Sequence, residues 1–361
     1  MKKLTNAEMC LVWLDSFTGL EYKHKLEIFN LIKGKENISS VISDAKDYII
    51  KNVGEEEYKT ITSATNTEYL KSVLVEMERN EVLPITICSS EYPETLKDLP
   101  LSPLVLYASG DVSLLSENCF AIVGSRKSPQ LSLNIAKDYT KSLMSAGFTI
   151  VTGIADGIDQ VVLETALNES GKVISVIAGG FNNVYPKTNK TLFDKVKEKG
   201  LVLSEHPFTV QPKPYMFPVR NRIIAGLSKG VLVVSAGSKS GTLYTAEYAD
   251  EYSRDVFAVP YSVGVSCGEG TNDLIKRGAI LTDNPTDILT HYGIETEREE
   301  KEQLTEVERQ ITDLLKDGEM HIEKIAIKLN KKIFEITPIV ASLEVKGYIC
   351  RAGINVYSLS R

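Results

Sequence analysis

Hydrophobic and polar positions follow two rhythms along the chain, and one gives way to the other near residue 80. Up to about Tyr69 the apolar residues recur with a helical period. Leu11, Leu14, Leu20, Leu26, Phe29 and Ile32 fall on the inner faces of short helices, joined at Thr18-Gly19 and Lys33-Gly34. A further helix is predicted over 68–80, leading to a strand over 82–87, a loop-and-turn segment over 92–100 and a strand over 105–108. From Cys119 the rhythm becomes strictly alternating. Apolar strand candidates lie at 120–123, 149–151, 173–177, 201–203, 230–234, 255–259 and 279–281. Helix-length segments with a period near 3.6 lie between most of them, at 133–146, 160–170, 191–199, 221–228, 243–252 and 272–277. Short apolar strands alternating with helices predict a parallel sheet covered on both faces. Ligands of such sheets bind beyond the carboxyl ends of the strands, so the loops there are where chemistry is expected.

The charge run over 295–303 reads as a solvated linker. After it come three short amphipathic segments, at 306–315, 321–329 and 336–345, and a hairpin over 347–357 expected to turn at Ala352-Gly353. Three helices and a hairpin is the order of a winged helix. Its third helix carries Glu335, Glu344 and only Lys346, with Lys331 and Lys332 before it, which favours protein contact or an accessory role over reading a DNA groove. The expected fold is α/β: an extended Rossmann-like parallel sheet (81–294) flanked by a helical, helix-hairpin-like domain (1–80) and, past the linker, a winged-helix domain (304–361).

Composition narrows the class. Hydrophobic content of 43% and charged content of 25% are those of a soluble globular protein. No apolar run is long enough to span a bilayer, and the first residues soon turn acidic without a signal-peptide core. Five cysteines without a C-x-x-C and four dispersed histidines predict a reducing compartment, the cytoplasm, and no metal site. The net charge of −7 matters most: nucleic acid would be repelled at long range, so any such binding needs a concentrated local patch.

One such patch is written at 217–228, where Arg220, Asn221 and Arg222 stand at what reads as a helix start after a Pro-rich loop. A helix N-terminus with two guanidinium forks is a receptor for phosphate oxygens. The plainer alternative is that the arginines pair with carboxylates at a domain seam. Gly124-Ser125-Arg126-Lys127 follows the first strand of the alternating region and offers a hydroxyl and two cations. Gly153 to Asp159 follows the next as an N–H-rich turn, with Asp159 expected as a helix N-cap; it lacks the G-x-G-x-x-G spacing of a dinucleotide site. In the 178–189 loop Tyr185 offers a ring for base stacking or an anchor for the loop, and Lys187 a phosphate contact. Ser238-Lys239-Ser240-Gly241 makes an anion loop without the order of a nucleotide-hydrolysing P-loop. No arrangement for a nucleophile or general base accompanies these loops, so no catalytic residue is expected.

Taken together, these blocks resemble the DNA-processing protein A family (DprA, also called Smf). The likeness runs through Ala121 to Arg126, Gly153 to Asp159, Tyr185-Pro186, Ser204-Glu205, the 217–228 block, Ser240 to Ala246, Phe257 to Pro260 and Gly270 to Ala279. It implies a protein without catalytic activity or cofactor that binds single-stranded DNA during natural transformation, helps load the RecA recombinase and acts as a homodimer joined through the Rossmann-like domain. The implied DNA contacts are Ser125, Arg126, Gly153, Arg220, Asn221, Arg222, Ser240 and Gly241; charge and loop position add Lys127, Lys187 and Lys239. The chain departs from the family pattern at Val161-Val162, Ser235-Ala236 and Tyr261. Two other readings stay open, a nucleotide-binding sensor and a nucleoside-monophosphate hydrolase. The hydrolases resemble P-G-G-x-G-T-x-x-E at this loop, whereas here Glu247 falls two positions too late after Gly241-Thr242.

Overall fold

The computed structural model describes residues 4–17, 20–32, 38–63, 67–97, 99–294, 304–316, 318–345 and 347–359, and structural statements concern these. The expected breaks at Thr18-Gly19 and Lys33-Gly34 and the charged run at 295–303 lie outside them. The chain divides into two compact units, Met1–Ile294 and Glu295–Arg361.

The first unit opens with helices α1 (Asn6–Asp15), α2 (Tyr22–Ile32), α3 (Ile38–Asn52), α4 (Glu55–Ser63) and α5 (Thr67–Arg79). Thr5 caps α1 in a reciprocal box: the Glu8 N–H donates to the Thr5 hydroxyl and the Thr5 N–H to the Glu8 carboxylate. Every residue from Cys10 to Leu14 is buried, so this stretch of α1 is apolar all round and must be enclosed. Cys10, Trp13 and Leu14 join the core of the helical region, while Leu11 and Val12 join the core beneath the sheet. Helices and sheet therefore share hydrophobic contacts.

Nine strands form the sheet: β1 (Leu83–Thr86), β2 (Val105–Gly110), β3 (Cys119–Gly124), β4 (Thr149–Thr152), β5 (Val173–Ile177), β6 (Leu201–Ser204), β7 (Gly230–Ser235), β8 (Asp255–Ala258) and β9 (Ile280–Leu281), in the order β1-β2-β6-β5-β4-β3-β7-β8-β9. From β6 across to β9 all neighbours are parallel, and β2 and β1 add an antiparallel edge. Alternate residues of one strand feed opposite cores: Phe120 and Ile122 face one side, Ala121 and Val123 the other. A short helix, α6 (Glu94–Lys97), lies within the expected turn segment. Helices α7 (Gln130–Ser145), α8 (Ile158–Asn168) and α9 (Lys190–Lys199) contribute to the first core, and α10 (Met216–Leu227) and α11 (Leu243–Glu251) to the second. Helices α12 (Glu269–Lys276) and α13 (Pro285–His291) complete the unit. The strand order reverses between β3 and β7, and a crevice at their carboxyl ends follows from that reversal.

One boundary matters for the site. Helix α10 begins at Met216, not near residue 221, because Pro218 sits inside its first turn. There the N–H that proline lacks has no intrahelical partner anyway. Arg220 and Arg222 therefore belong to the helix interior, and the expectation that they stand at an N-terminus is corrected.

The second unit contains α14 (Glu306–Leu315), β10 (Met320–His321), α15 (Ile322–Lys328), α16 (Ile333–Val345), β11 (Ile349–Gly353) and β12 (Val356–Leu359), with a three-stranded antiparallel sheet ordered β10-β12-β11. Ile311, Ile325, Ile336, Val340 and Leu343 form its core. The hairpin turns at Ile354-Asn355, two residues beyond the expected place, with Asn355 taking the left-handed conformation (φ 54°) that asparagine tolerates.

Candidate functional site

An open cavity of about 650 Å³ occupies the carboxyl edge of the sheet. It draws on the ends of five parallel-sheet segments: Gly124 at the end of β3 and Arg126 after it, Ala155 and Asp159 after β4, Tyr185 after β5, Pro212 and Pro214 after β6, and Ser240, Gly241 and Thr242 after β7. Phe217, Arg220 and Asn221 of α10 form another wall.

Arg220 is the electrostatic centre. It is only 8% exposed; one guanidinium nitrogen donates to the Val176 carbonyl at the end of β5, and Nε donates to Asn221 Oδ1 at 3.1 Å. Asp159, 7% exposed, lies across from it and accepts the Ala155 N–H on Oδ2 at 3.3 Å. The helix cap at this point is Gly157, so Asp159 belongs to the first turn of α8 and is not the expected N-cap. Burial pushes the Arg220 guanidinium down to about 10 against the pull of Asp159. Burial likewise raises the Asp159 carboxyl, although Arg220 opposes the rise. Each charge has given up water for an incomplete partner, which leaves Arg220 receptive to an anion.

The glycines of the 153–159 run are now explained. A Cβ on Gly153 would lie 2.4 Å from Asp159 Oδ2 and 2.8 Å from an Arg220 nitrogen, and one on Gly157 (φ 82°) would meet the Ser125 and Arg126 carbonyls at 2.5 Å. The turn is bare so that Arg220 and Asp159 can approach it. Gly153→Ala is expected to push Arg220 out of place and weaken anion binding at least tenfold while the protein still folds. Competition titration beside circular dichroism would check this, and wild-type binding would refute it.

Around Arg220 the site turns aromatic. Arg126, exposed, lies with its guanidinium carbon 5.2 Å from the centre of the Phe217 ring. Tyr185, 51% exposed, meets Phe217 edge to face at 5.6 Å between ring centres. Of the two roles considered for Tyr185, exposure fits the open stacking surface better than the buried anchor. A side pouch of about 30 Å³ opens beneath these rings, next to Asp156 and Pro186.

The loop after β7 closes largely on itself. The Leu243 N–H donates to the Ser240 carbonyl at 3.1 Å, and the Thr242 N–H to the Ser240 hydroxyl at 3.3 Å. What it presents to the cavity is hydroxyls and the open backbone edge at Gly241, where an added Cβ would meet nothing within 4 Å. Asn221 ties α10 to this loop by donating to the Gly241 carbonyl at 3.3 Å.

The structure thus brings Arg126, Arg220, Asn221, Ser240 and Gly241 together on the cavity wall, while the other expected residues do not line it. Arg222, two positions beyond Arg220, projects from another side of α10. It is 3% exposed, bonded to Glu205 just after β6, with its guanidinium carbon 5.8 Å from the Tyr22 ring centre. Burial disfavours its charge, but Glu205 reverses that and the net shift is upward. Its placement among the cavity residues is therefore corrected: Arg222 is a seam residue, as the carboxylate-pairing alternative has it. Ser125 braces the strand ends, its N–H and hydroxyl both donating to the Ser235 carbonyl at 3.0 and 3.3 Å. Gly153 is buried behind the cavity wall, and Lys127, Lys187 and Lys239 are exposed but do not line it. Phe217, Thr242 and Thr245 line the site without having been singled out. Only Phe217 carried a signal, as an aromatic next to the arginine block. Among the described residues no cluster of His, Cys, Asp or Glu could hold a metal, and no helix is long and apolar enough to cross a membrane.

Comparison with known proteins adds an independent line. The family model described as DNA recombination-mediator protein A matches residues 84–293. The DNA processing protein DprA of Bacillus subtilis is 41% identical over 221 residues, covering 61% of this chain and 74% of that protein. Protein Smf of Escherichia coli is 41% identical over 202 residues, or 56% of this chain and 54% of its own length. Among solved structures, DprA of Streptococcus pneumoniae superposes with a TM-score of 0.67 at 31% identity, over 80% of this chain and 98% of that one. DprA of Helicobacter pylori, whose structure is described as showing a single-stranded DNA binding mode, gives a TM-score of 0.54 at 27% identity, over 59% of this chain and 95% of that one. With more than half of the chain matched by the family model, and its strand-end loops converging on one cationic cavity, the chain belongs to the DNA recombination-mediator protein A family, the DprA/Smf proteins.

Proposed function

We propose that the protein binds single-stranded DNA along the carboxyl edge of its sheet, without catalysing a reaction, and passes the strand to the RecA recombinase. The observation that carries this reading is the pairing of charge with exposed rings in one open cavity: Arg126 and Arg220 for phosphates, Phe217 and Tyr185 for bases. A cationic groove with aromatic platforms binds single strands with little sequence preference, since every base has a face to stack. The H. pylori relative's described binding mode supports the same assignment. Homodimerisation through the Rossmann-like sheet unit and a cytoplasmic setting complete it. The C-terminal unit fits a winged helix in an accessory or protein-binding role, given the exposed Ile327, Ile333 and Phe334 around its α15–α16 turn.

Fluorescence anisotropy with labelled oligo-dT tests the reading. With two cationic side chains in the cavity, log affinity is expected to fall with log salt at a slope of about −1.4 or steeper. Phe217→Ala is expected to cost about 1–3 kcal/mol. Equal affinity for duplex, or binding indifferent to salt, would overturn the proposal. The cavity would also admit a mononucleotide, and its one lining carboxylate is Asp159, which accepts the Ala155 N–H. Release of free base from nucleoside monophosphates would favour the hydrolase alternative instead.

A further inference from the structure

The charged groups lining the cavity are Arg126, Arg220 and Asp159, two positive and one negative. The carboxylate stands where an anion-binding site would be expected to exclude one. It is buried to the same degree as Arg220, and both approach the one point that a side chain on Gly153 would fill. We infer that Asp159 is a specificity-determining residue, which sets the cavity to accept the single charge of an internal phosphodiester and to reject the double charge of a free nucleotide's phosphate. The inference rests on the DNA-binding reading above and deepens it.

Charge balance around the buried Arg220 and Asp159 sets this preference. A phosphodiester inside a DNA chain carries one negative charge, and a phosphomonoester about 1.5 to 2 near neutral pH. Two guanidinium groups less one carboxylate leave one net positive charge in the cavity. One phosphodiester neutralises it. The extra charge of a monoester meets no further cation there, only the Asp159 carboxylate, and burial strengthens that repulsion relative to water. A second acid, Asp156, is exposed and borders only the side pouch, where it accepts the Thr188 hydroxyl at 3.3 Å.

The test compares two competitors that differ by one methyl group and up to one unit of charge, thymidine 5′-monophosphate and its methyl ester, displacing labelled oligo-dT from the protein. For wild type the ester is expected to compete at least as well as the monophosphate, despite its smaller charge. In Asp159→Asn the preference should swing at least fivefold toward the monophosphate, and Asp156→Asn should move it less. A wild-type protein favouring the monophosphate several-fold would overturn the inference without any variant. So would an Asp159→Asn protein with an unchanged ratio, or one in which both competitors and the oligonucleotide weaken equally, since that would make Asp159 a mere support for Arg220. Wild-type protein that failed to retain oligo-dT at all would instead sink the DNA reading, and this inference with it.

Discussion

Arg220→Ala is expected to lose about a hundredfold in affinity for oligo-dT. Hydrogen bonds to charged groups contribute up to about 3 kcal/mol, and that loss corresponds to roughly two orders of magnitude. The effect should be large because Arg220 is already desolvated: burial holds its guanidinium down to about 10, so a bound phosphate replaces solvation that the fold has removed. The substitution also removes the main influence restraining the raised Asp159 carboxyl. Arg126→Ala, by contrast, removes an exposed cation stacked on Phe217 and should cost only about 1 kcal/mol. Anisotropy titrations at fixed salt measure both. If the two variants lost affinity equally, Arg220 would not be the centre of the site.

Arg222→Ala should do the reverse, costing stability far more than affinity. It would leave the Glu205 carboxylate, 12% exposed, buried without its cation, and removing one partner of such a pair costs about 3–5 kcal/mol. For a unit of this size the melting temperature should drop by about 5–10 °C. The pair is not itself well satisfied, since Nε and Nη1 of Arg222 have no hydrogen-bond partner. Changing both residues at once, Arg222→Met with Glu205→Gln, is therefore expected to recover at least half of the lost stability. Calorimetry reads out the melting temperature and anisotropy the affinity. A variant that melted like wild type but no longer bound DNA would return Arg222 to the cavity.

The different surroundings of these two arginines in one short block are not written in the sequence. The seven strands from β3 to β9 were legible because a parallel sheet covered on both faces needs continuous apolar runs, and such runs stand out between helical segments. The anion-friendly loops were legible because glycine, serine and basic residues follow those runs directly. The start of α10 was not: a proline in the first turn reads as part of the preceding loop, and that misplaced both arginines relative to the helix end. The partners of each arginine were not legible either. Glu205 comes from the end of β6 and Asp159 from the first turn of α8, and neither spacing announces the contact.

The amino-acid order by itself determined the α/β class, the strand-end loops that go on to line the cavity, and the family, since these depend on local periodicity and on motifs contiguous in the chain. Tertiary structure decided which cation faces the cavity, which one is locked into a seam, and that a buried carboxylate shares the site. Those outcomes depend on helix rotation and on contacts between segments far apart in the chain, which exist only once the sheet has brought its strand ends together.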